Sequence, residues 1–324
     1  MSSGPAQPLE LRDTRALAEL SARPWSASSL ELWIACPARW FVERMLRAQS
    51  VEPDPEPLAR GGLAHAVLAD TLEGLRERTG SARLIPERLE LARELLARAL
   101  SDHEPRYPLS ASPERVPGAR RRLEADLMRY LAHTCSQASP LEPSFLELGF
   151  GFESDDPGAG DRRVPDEGRE VGLPALDLGG GVKLRGRIDR IDVGPGGEAV
   201  VYDYKGASVT PSARWIADGK IQLALYMHAA RELLGLEVVG GMYQPLGGVD
   251  LRARGVLAAS ASFELDCVRT DVVDAGELDE IVSEALALAR AAAAEAVAGA
   301  VDARPATCTY TGGCEYPAIC RTGR

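Results

Sequence analysis

The chain has 324 residues, a formal net charge of −11 and 45% apolar side chains. That is enough apolar material for a packed core, and no apolar run reaches the roughly 18–20 residues a membrane span needs. The negative charge excludes a basic nucleic-acid coat and predicts weak long-range attraction to polyanions, while leaving room for a local basic groove. Residues 1–10 lack a basic start followed by an apolar stretch, so no signal peptide is expected and a cytoplasmic location is.

Residues 1–25 read as an N-terminal tail, followed by one domain over 26–324. Ser28 is placed to N-cap a first helix in which Leu30, Trp33, Ile34, Pro37, Phe41 and Met45 fall at roughly helical spacing. Three prolines within 51–57 mark a connector. Helices are predicted over about 58–78, 87–100 and 114–136, which makes a helical part of about 26–137. Alternation then predicts a strand over 145–152. Residues 154–172 are rich in Asp, Gly, Pro and Arg and read as a loop.

A second alternating run covers 182–193, and a short apolar run covers 199–204. The Gly194-Pro195-Gly196-Gly197 turn joins them into a predicted hairpin. A helix over 213–234, strands over 236–245 and 255–266, and an alanine-rich helix over 277–300 follow. The sheet core thus covers about 145–266, and the last helix and cysteine tail about 275–324. This order predicts an α/β fold with a mixed central sheet flanked by helices and an N-terminal helical region.

The chemistry concentrates in Gly186-Arg187-Ile188-Asp189 and, across the turn, Asp203-Tyr204-Lys205. Residues i and i+2 of a strand share a face, so Asp203 and Lys205 point together, and the hairpin brings Asp189 alongside. Converging carboxylates repel, and a divalent cation resolves the repulsion. Oxygen ligands favour Mg²⁺ or Mn²⁺. An Asp-x-Lys alone is also compatible with a charged solvent face. The upstream Gly-x-x-Asp, the turn and the apolar strand narrow the reading.

This segment resembles the metal centre of PD-(D/E)XK nucleases, in particular the RecB/AddB-type branch. Ser26-Ala27-Ser28-Ser29-Leu30 leading to Cys36-Pro37 and Trp40-Phe41 is similar to that branch's opening helix. Arg60-Gly61-Gly62-Leu63-Ala64-His65 resembles its Gly-x-x-x-His, and Gln222 with Tyr226 resembles its Gln-x-x-x-Tyr helix. The resemblance implies a restriction-endonuclease-like fold and a metal-dependent DNA nuclease, expected to be an exonuclease, in repair, recombination or defence. It implies His65, Asp189, Asp203 and the backbone carbonyl of Tyr204 as metal ligands, and Asp189, Asp203, Lys205, Gln222 and Tyr226 as the catalytic set. Taken alone, His65 also fits a partly buried helical histidine, and Gln222 and Tyr226 fit ordinary packing. Glu147 fits either a further acidic site residue or a solvent-facing strand position. Gly206-Ala207 stands where the family commonly has Thr-Gly. The alternative function is a non-catalytic DNA-end-binding or scaffolding subunit of a helicase–nuclease complex. The chain has no Walker A pattern, so any motor is expected to be a partner helicase.

Cys308, Cys314 and Cys320 stand six residues apart. With Cys36 they resemble the branch's 4Fe–4S ligand set, and tetrahedral zinc is the competing reading. Five residues separate Cys308 from Cys314, where the family has two. Cys135 and Cys267 read as packing residues. Arg120-Arg121-Arg122 is a candidate phosphate contact or a solvated helix start, and Arg185, Arg187 and Arg190 surround Asp189.

Overall fold

In a computed structural model, residues 10–47, 56–137, 139–152, 172–207, 209–304 and 316 are described. A helix forms within the region expected to be tail. Helix α1 (Thr14–Ala22) starts at Asp13, whose carboxylate accepts the amides of Arg15 and Ala16. Strand β1 (Trp25–Ser26) leads directly into α2 (Ala27–Ala35). The cap of α2 is Ser26, not Ser28: its hydroxyl accepts the Ser29 amide. Pro37 ends α2, because the residue before a proline avoids the helical region and Cys36 is extended, with φ −166°. Helix α3 (Pro37–Trp40) then runs into a π-helical turn at Phe41–Met45.

Three long helices follow: α4 (Glu56–Thr79), α5 (Leu89–His103) and α6 (Val116–Gln137). Their facing side chains, among them Leu63, Leu68, Leu72, Leu96, Leu100, Leu123 and Leu127, form one apolar cluster. The sheet contributes β2 (Glu142–Phe150), β3 (Leu176–Asp177), β4 (Lys183–Val193) and β5 (Glu198–Lys205). Helix α7 (Gln222–Leu234), β6 (Glu237–Pro245), β7 (Arg254–Ala258), β8 (Val272–Val273) and α8 (Ala275–Val297) complete the fold.

The eight strands form one sheet in the order β1-β4-β5-β6-β7-β8, with β2 and β3 also paired to β4. Strands β5 and β6 are parallel and joined through α7; β4 pairs antiparallel with both β2 and β5. The result is the mixed sheet flanked by helices of a restriction-endonuclease-like fold. Among the described residues no helix is long and apolar enough to cross a membrane.

Two elements are shorter than the sequence predicts. A 3₁₀ turn occupies Ser212–Arg214, and regular helix begins only at Gln222. Gly219 between them has φ +64°, and a Cβ there would lie 2.5 Å from Cγ2 of Ile34. This turn therefore needs glycine and stops the helix from running through. Strand β7 ends at Ala258, where the Ala261 amide turns back to the Ala258 carbonyl.

Candidate active site

The β4–β5 register pairs Arg190 with Tyr202 and Ile191 with Val201. One step further it sets Asp189 opposite Asp203. The ladder stops there, and the Asp189 carboxylate takes the place of a strand partner: its Oδ2 accepts the Tyr204 amide at 2.7 Å. Strand alternation puts Asp203 and Lys205 on one face, with Lys205 Nζ in an ion pair 2.5 Å from Asp203 Oδ2. Gln222, the first residue of α7, donates Nε2 to Asp203 Oδ1 at 2.9 Å. Both oxygens of Asp203 are thus held from fixed elements, and Asp189 and Asp203 are buried.

The other edge of β4 adds a third carboxylate. Leu146↔Arg190 and Leu148↔Ile188 bracket Glu147 opposite Asp189. Glu147 has φ +49°, a left-handed conformation that a residue with a side chain adopts at a free-energy cost. Its Oε1 is buried with no hydrogen-bond partner among the described residues. His65, from α4, places Nδ1 3.3 Å from Asp189 Oδ1 and 3.6 Å from Glu147 Oε1. One ligand atom from each of His65, Glu147 and Asp189 lies within 4.8 Å of the other two. The edge of the His65 ring meets Tyr204, with centroids 5.5 Å apart.

An unsatisfied buried carboxylate oxygen beside a second carboxylate and an imidazole fits a divalent cation. The protons tell the same story. Burial opposes a charged His65, yet Asp189 and Glu147 outweigh it and push the imidazole up to about 10. Burial, then repulsion from Asp189, raises Asp203 to about 7, with Lys205 pulling the other way. Without a cation, protons neutralise the crowded carboxylates.

Tyr226 lies one turn along α7 from Gln222, its hydroxyl beside the Gln222 side chain and the Arg187 backbone. Burial, then the charges of Asp189 and Asp203, raises its phenol above the ordinary value. Gly186 makes the space: a Cβ there would lie 2.8 Å from the Tyr226 ring and 3.1 Å from Phe150. The glycine of Gly-x-x-Asp therefore admits the tyrosine of the Gln-x-x-x-Tyr helix.

Glu31 was not singled out by sequence. Helix α7 has no side-chain cap of its own, and Glu31 Oε1, from α2, accepts the Gln222 amide at 2.9 Å. Its other oxygen lies 3.5 Å from Lys220 Nζ. No local pattern announces this, since the partners are 191 residues apart. Arg187 approaches the site too, with Nη1 3.9 Å from Glu147 Oε2.

The other arginines singled out by the sequence lie elsewhere. Arg190 faces the opposite side of β4 and is buried, donating to the hydroxyls of Tyr130 and Tyr204. Arg120 is tied to Glu104 and Glu124. Cys135 is buried in α6 and Cys267 partly buried. Cys36 ends α2, whereas Cys308, Cys314 and Cys320 lie outside the described residues.

An open cleft of about 550 Å³ reaches the site, lined by Arg60, Gly61, His65, Tyr204, Lys205 and Gly247 among others. His65, Glu147, Asp189, Asp203, Lys205, Gln222 and Tyr226 thus converge at one place from five different elements of the chain. No curated protein sequence matches the chain. The family model of the PD-(D/E)XK nuclease superfamily matches residues 24–321, nearly the whole length, and the chain belongs to that superfamily.

Proposed function

We propose that the chain is a Mg²⁺- or Mn²⁺-dependent deoxyribonuclease, acting as an exonuclease on DNA ends or single strands. The observation that carries this reading is the convergence of Asp189, Asp203 and Lys205 with Glu147 and His65 at the mouth of one cleft. Asp189, Asp203, His65 and the backbone carbonyl of Tyr204 would hold the cation, and the orphaned Oε1 of Glu147 supports adding that residue. A bound divalent ion supplies Lewis acidity toward phosphate and acidifies a water. Lys205 orients the attacking water and offsets the negative charge that develops on the phosphate. Gln222 fixes the plane of the Asp203 carboxylate, and the Tyr226 hydroxyl, one helical turn on, lies beside the Gln222 side chain.

The same proposal includes a cysteine site made from Cys36, Cys308, Cys314 and Cys320, carrying a 4Fe–4S cluster. Two contacts support it: the Ala38 amide donates to the Asp302 carbonyl, and Arg304 donates to the Ile34 carbonyl at 2.8 Å. Asp302 and Arg304, the last described residues before the cysteine tail, thus lie beside the segment that holds Cys36. Such a staple closes most of the chain into one loop, worth about 5 kcal/mol in a chain-entropy picture. Anaerobically purified protein should be brown and contain iron and sulfide, and Cys36→Ser should lose both. Zinc in a colourless protein would assign the alternative metal.

The activity is tested on end-labelled single- and double-stranded DNA with and without Mn²⁺, beside Asp203→Asn. Metal-dependent shortening from ends by wild type alone supports the proposal. End binding without cleavage would assign a non-catalytic DNA-end-binding role. A helicase partner belongs to the same reading, since it would deliver strands to an acidic chain. Added helicase should then raise the cleavage rate on blunt duplex.

A further inference from the structure

An acidic chain that handles a polyanion needs basicity concentrated somewhere. Four arginines gather at the corner where α1, β1 and the π-helical turn meet. Arg23, just after α1, lies with its guanidinium carbon 5.9 Å from the Trp25 ring centroid and 5.8 Å from that of Trp40. Strand β1 pairs Ser26 with Arg185 of β4, and Arg185 lies over Phe152 at 5.6 Å. The π-helical turn supplies Arg44, and Arg47 follows it in a left-handed conformation, φ +52°. π-Turns and left-handed residues with side chains are uncommon and gather at functional places.

Three of these arginines are short of negative charge among the described residues. Partial desolvation, then the charges of Arg185, Arg47 and Arg44, holds Arg23 below its ordinary value, while Glu19 alone pulls upward. Glu19 is itself paired with Arg15 at 3.2 Å. Among the described residues, Arg23, Arg44 and Arg47 each lack an ion-pair partner. Arg23, Arg44 and Arg47, gathered without ion-pair partners among the described residues, repel one another, and an anion relieves the repulsion, as a cation would for the carboxylates at the other end of β4.

The two ends are connected. Arg185, Arg187 and Asp189 alternate onto one face of β4, and Arg187 already approaches Glu147. Four residues of strand span about 13 Å. One strand of duplex carries a phosphate per ~3.4 Å of helix axis, so that distance spans more than one phosphate. A mononucleotide cannot bridge it. Trp25 and Trp40 are buried, so they are closed to base stacking, and the corner offers guanidinium groups for phosphates.

We propose that Arg23, Arg44, Arg47 and Arg185 form a phosphate track that holds the backbone of a nucleic-acid strand on one side of the cleavage site, with Arg187 as the step between. The track rests on the nuclease reading above for its direction and reads no base. Arg44 and Arg47 are exposed, so Arg44→Gln/Arg47→Gln leaves the packing intact. Full-length wild type and this variant are titrated with fluorescein-labelled dT20 in Ca²⁺ without Mn²⁺, by anisotropy, across a salt series. The variant should bind about tenfold more weakly at 0.1 M salt. Its log Kd–log salt slope should be shallower by about 1.4, two phosphate contacts at ~0.7 each.

A short chromogenic ester, thymidine 5′-p-nitrophenyl phosphate, cannot reach the track. Its Mn²⁺-dependent hydrolysis should be equal in both proteins, while kcat/KM on dT20 falls in the variant. Unchanged affinity and slope for dT20 would overturn the track, as would a loss confined to inorganic phosphate binding. Failure of wild type to hydrolyse either substrate would instead count against the nuclease reading, and the anisotropy series would still decide the track.

Discussion

Charge is buried on both faces of the β4–β5 hairpin, and the two faces balance it differently. On one face Arg190 Nε lies 2.8 Å from Asp192 Oδ1, the same guanidinium stacks over the Tyr202 ring at 4.0 Å, and Tyr130 and Tyr204 accept its hydrogen bonds. One cation meets one anion, and tyrosines close the remaining space. On the other face three carboxylates, Glu147, Asp189 and Asp203, crowd together beside His65 and Lys205, with Arg187 3.9 Å from Glu147. Neighbouring residues of one strand thus build a closed structural pair and an open, acid-rich centre. Burial alone does not mark function; burial with unbalanced charge beside a cleft does.

The largest effect should come from the open face. Asp203→Asn or Lys205→Ala should lower Mn²⁺-dependent cleavage by roughly 10²–10³-fold or more, the scale of removing a group that stabilises developing charge. Circular dichroism should remain that of the folded chain. In EDTA, Asp203→Asn should melt higher than wild type, because it removes a carboxylate that burial and Asp189 disfavour. Equal cleavage by both variants would remove the open face from catalysis.

The closed face should respond in stability. Arg190→Met leaves Asp192 buried without its cation and should destabilise by about 3–5 kcal/mol. Arg190→Met/Asp192→Leu should recover most of that loss in urea unfolding. If the single and double variants are equally unstable, the pair is not the unit described.

Smaller still is Glu31→Ala. Removing the acceptor for the Gln222 amide should cost about 1 kcal/mol of stability. If Glu31 also positions Gln222 against Asp203, kcat should fall several-fold with KM unchanged. A loss of stability with unaltered kcat would leave Glu31 a purely structural cap.

The last expected effect is in pH. His65, raised to about 10, stabilises the metal-free fold fully below its unfolded value near 6.5, and that stability is lost as pH rises toward 10. Asp203, raised to about 7 from 3.8, is favoured in its neutral form, so stability also falls between those values as pH rises. The melting temperature in EDTA should therefore decline from pH 6 to pH 9.5. Mn²⁺ should restore more of it at the alkaline end, where fewer protons compete for the ligands. A melting temperature that rises across that range in EDTA would contradict both assignments.

Much of this site could be read from local sequence, because strand alternation and a glycine-rich turn are local. Asp203 beside Lys205, Asp189 across the hairpin, and Gln222 under Tyr226 all follow from periods of two and four. Glu147 could not be placed, since its left-handed backbone departs from the alternation that would have oriented it. Glu31 acts across the fold, whereas α1 had a local signal that could have found it: Asp13 as a cap before Leu17 and Leu20 at helical spacing. The premature start given to α7 has a tertiary cause: Gly219 packs against Ile34.

The most direct test of the open face as a metal centre is Mn²⁺ binding, read by electron paramagnetic resonance on metal-stripped full-length protein at pH 8. Wild type should bind Mn²⁺ stoichiometrically, Asp189→Asn should lose that binding while staying folded, and Glu147→Gln should weaken it. Stoichiometric Mn²⁺ binding that is unchanged in Asp189→Asn would contradict the assignment of this carboxylate cluster as the metal site.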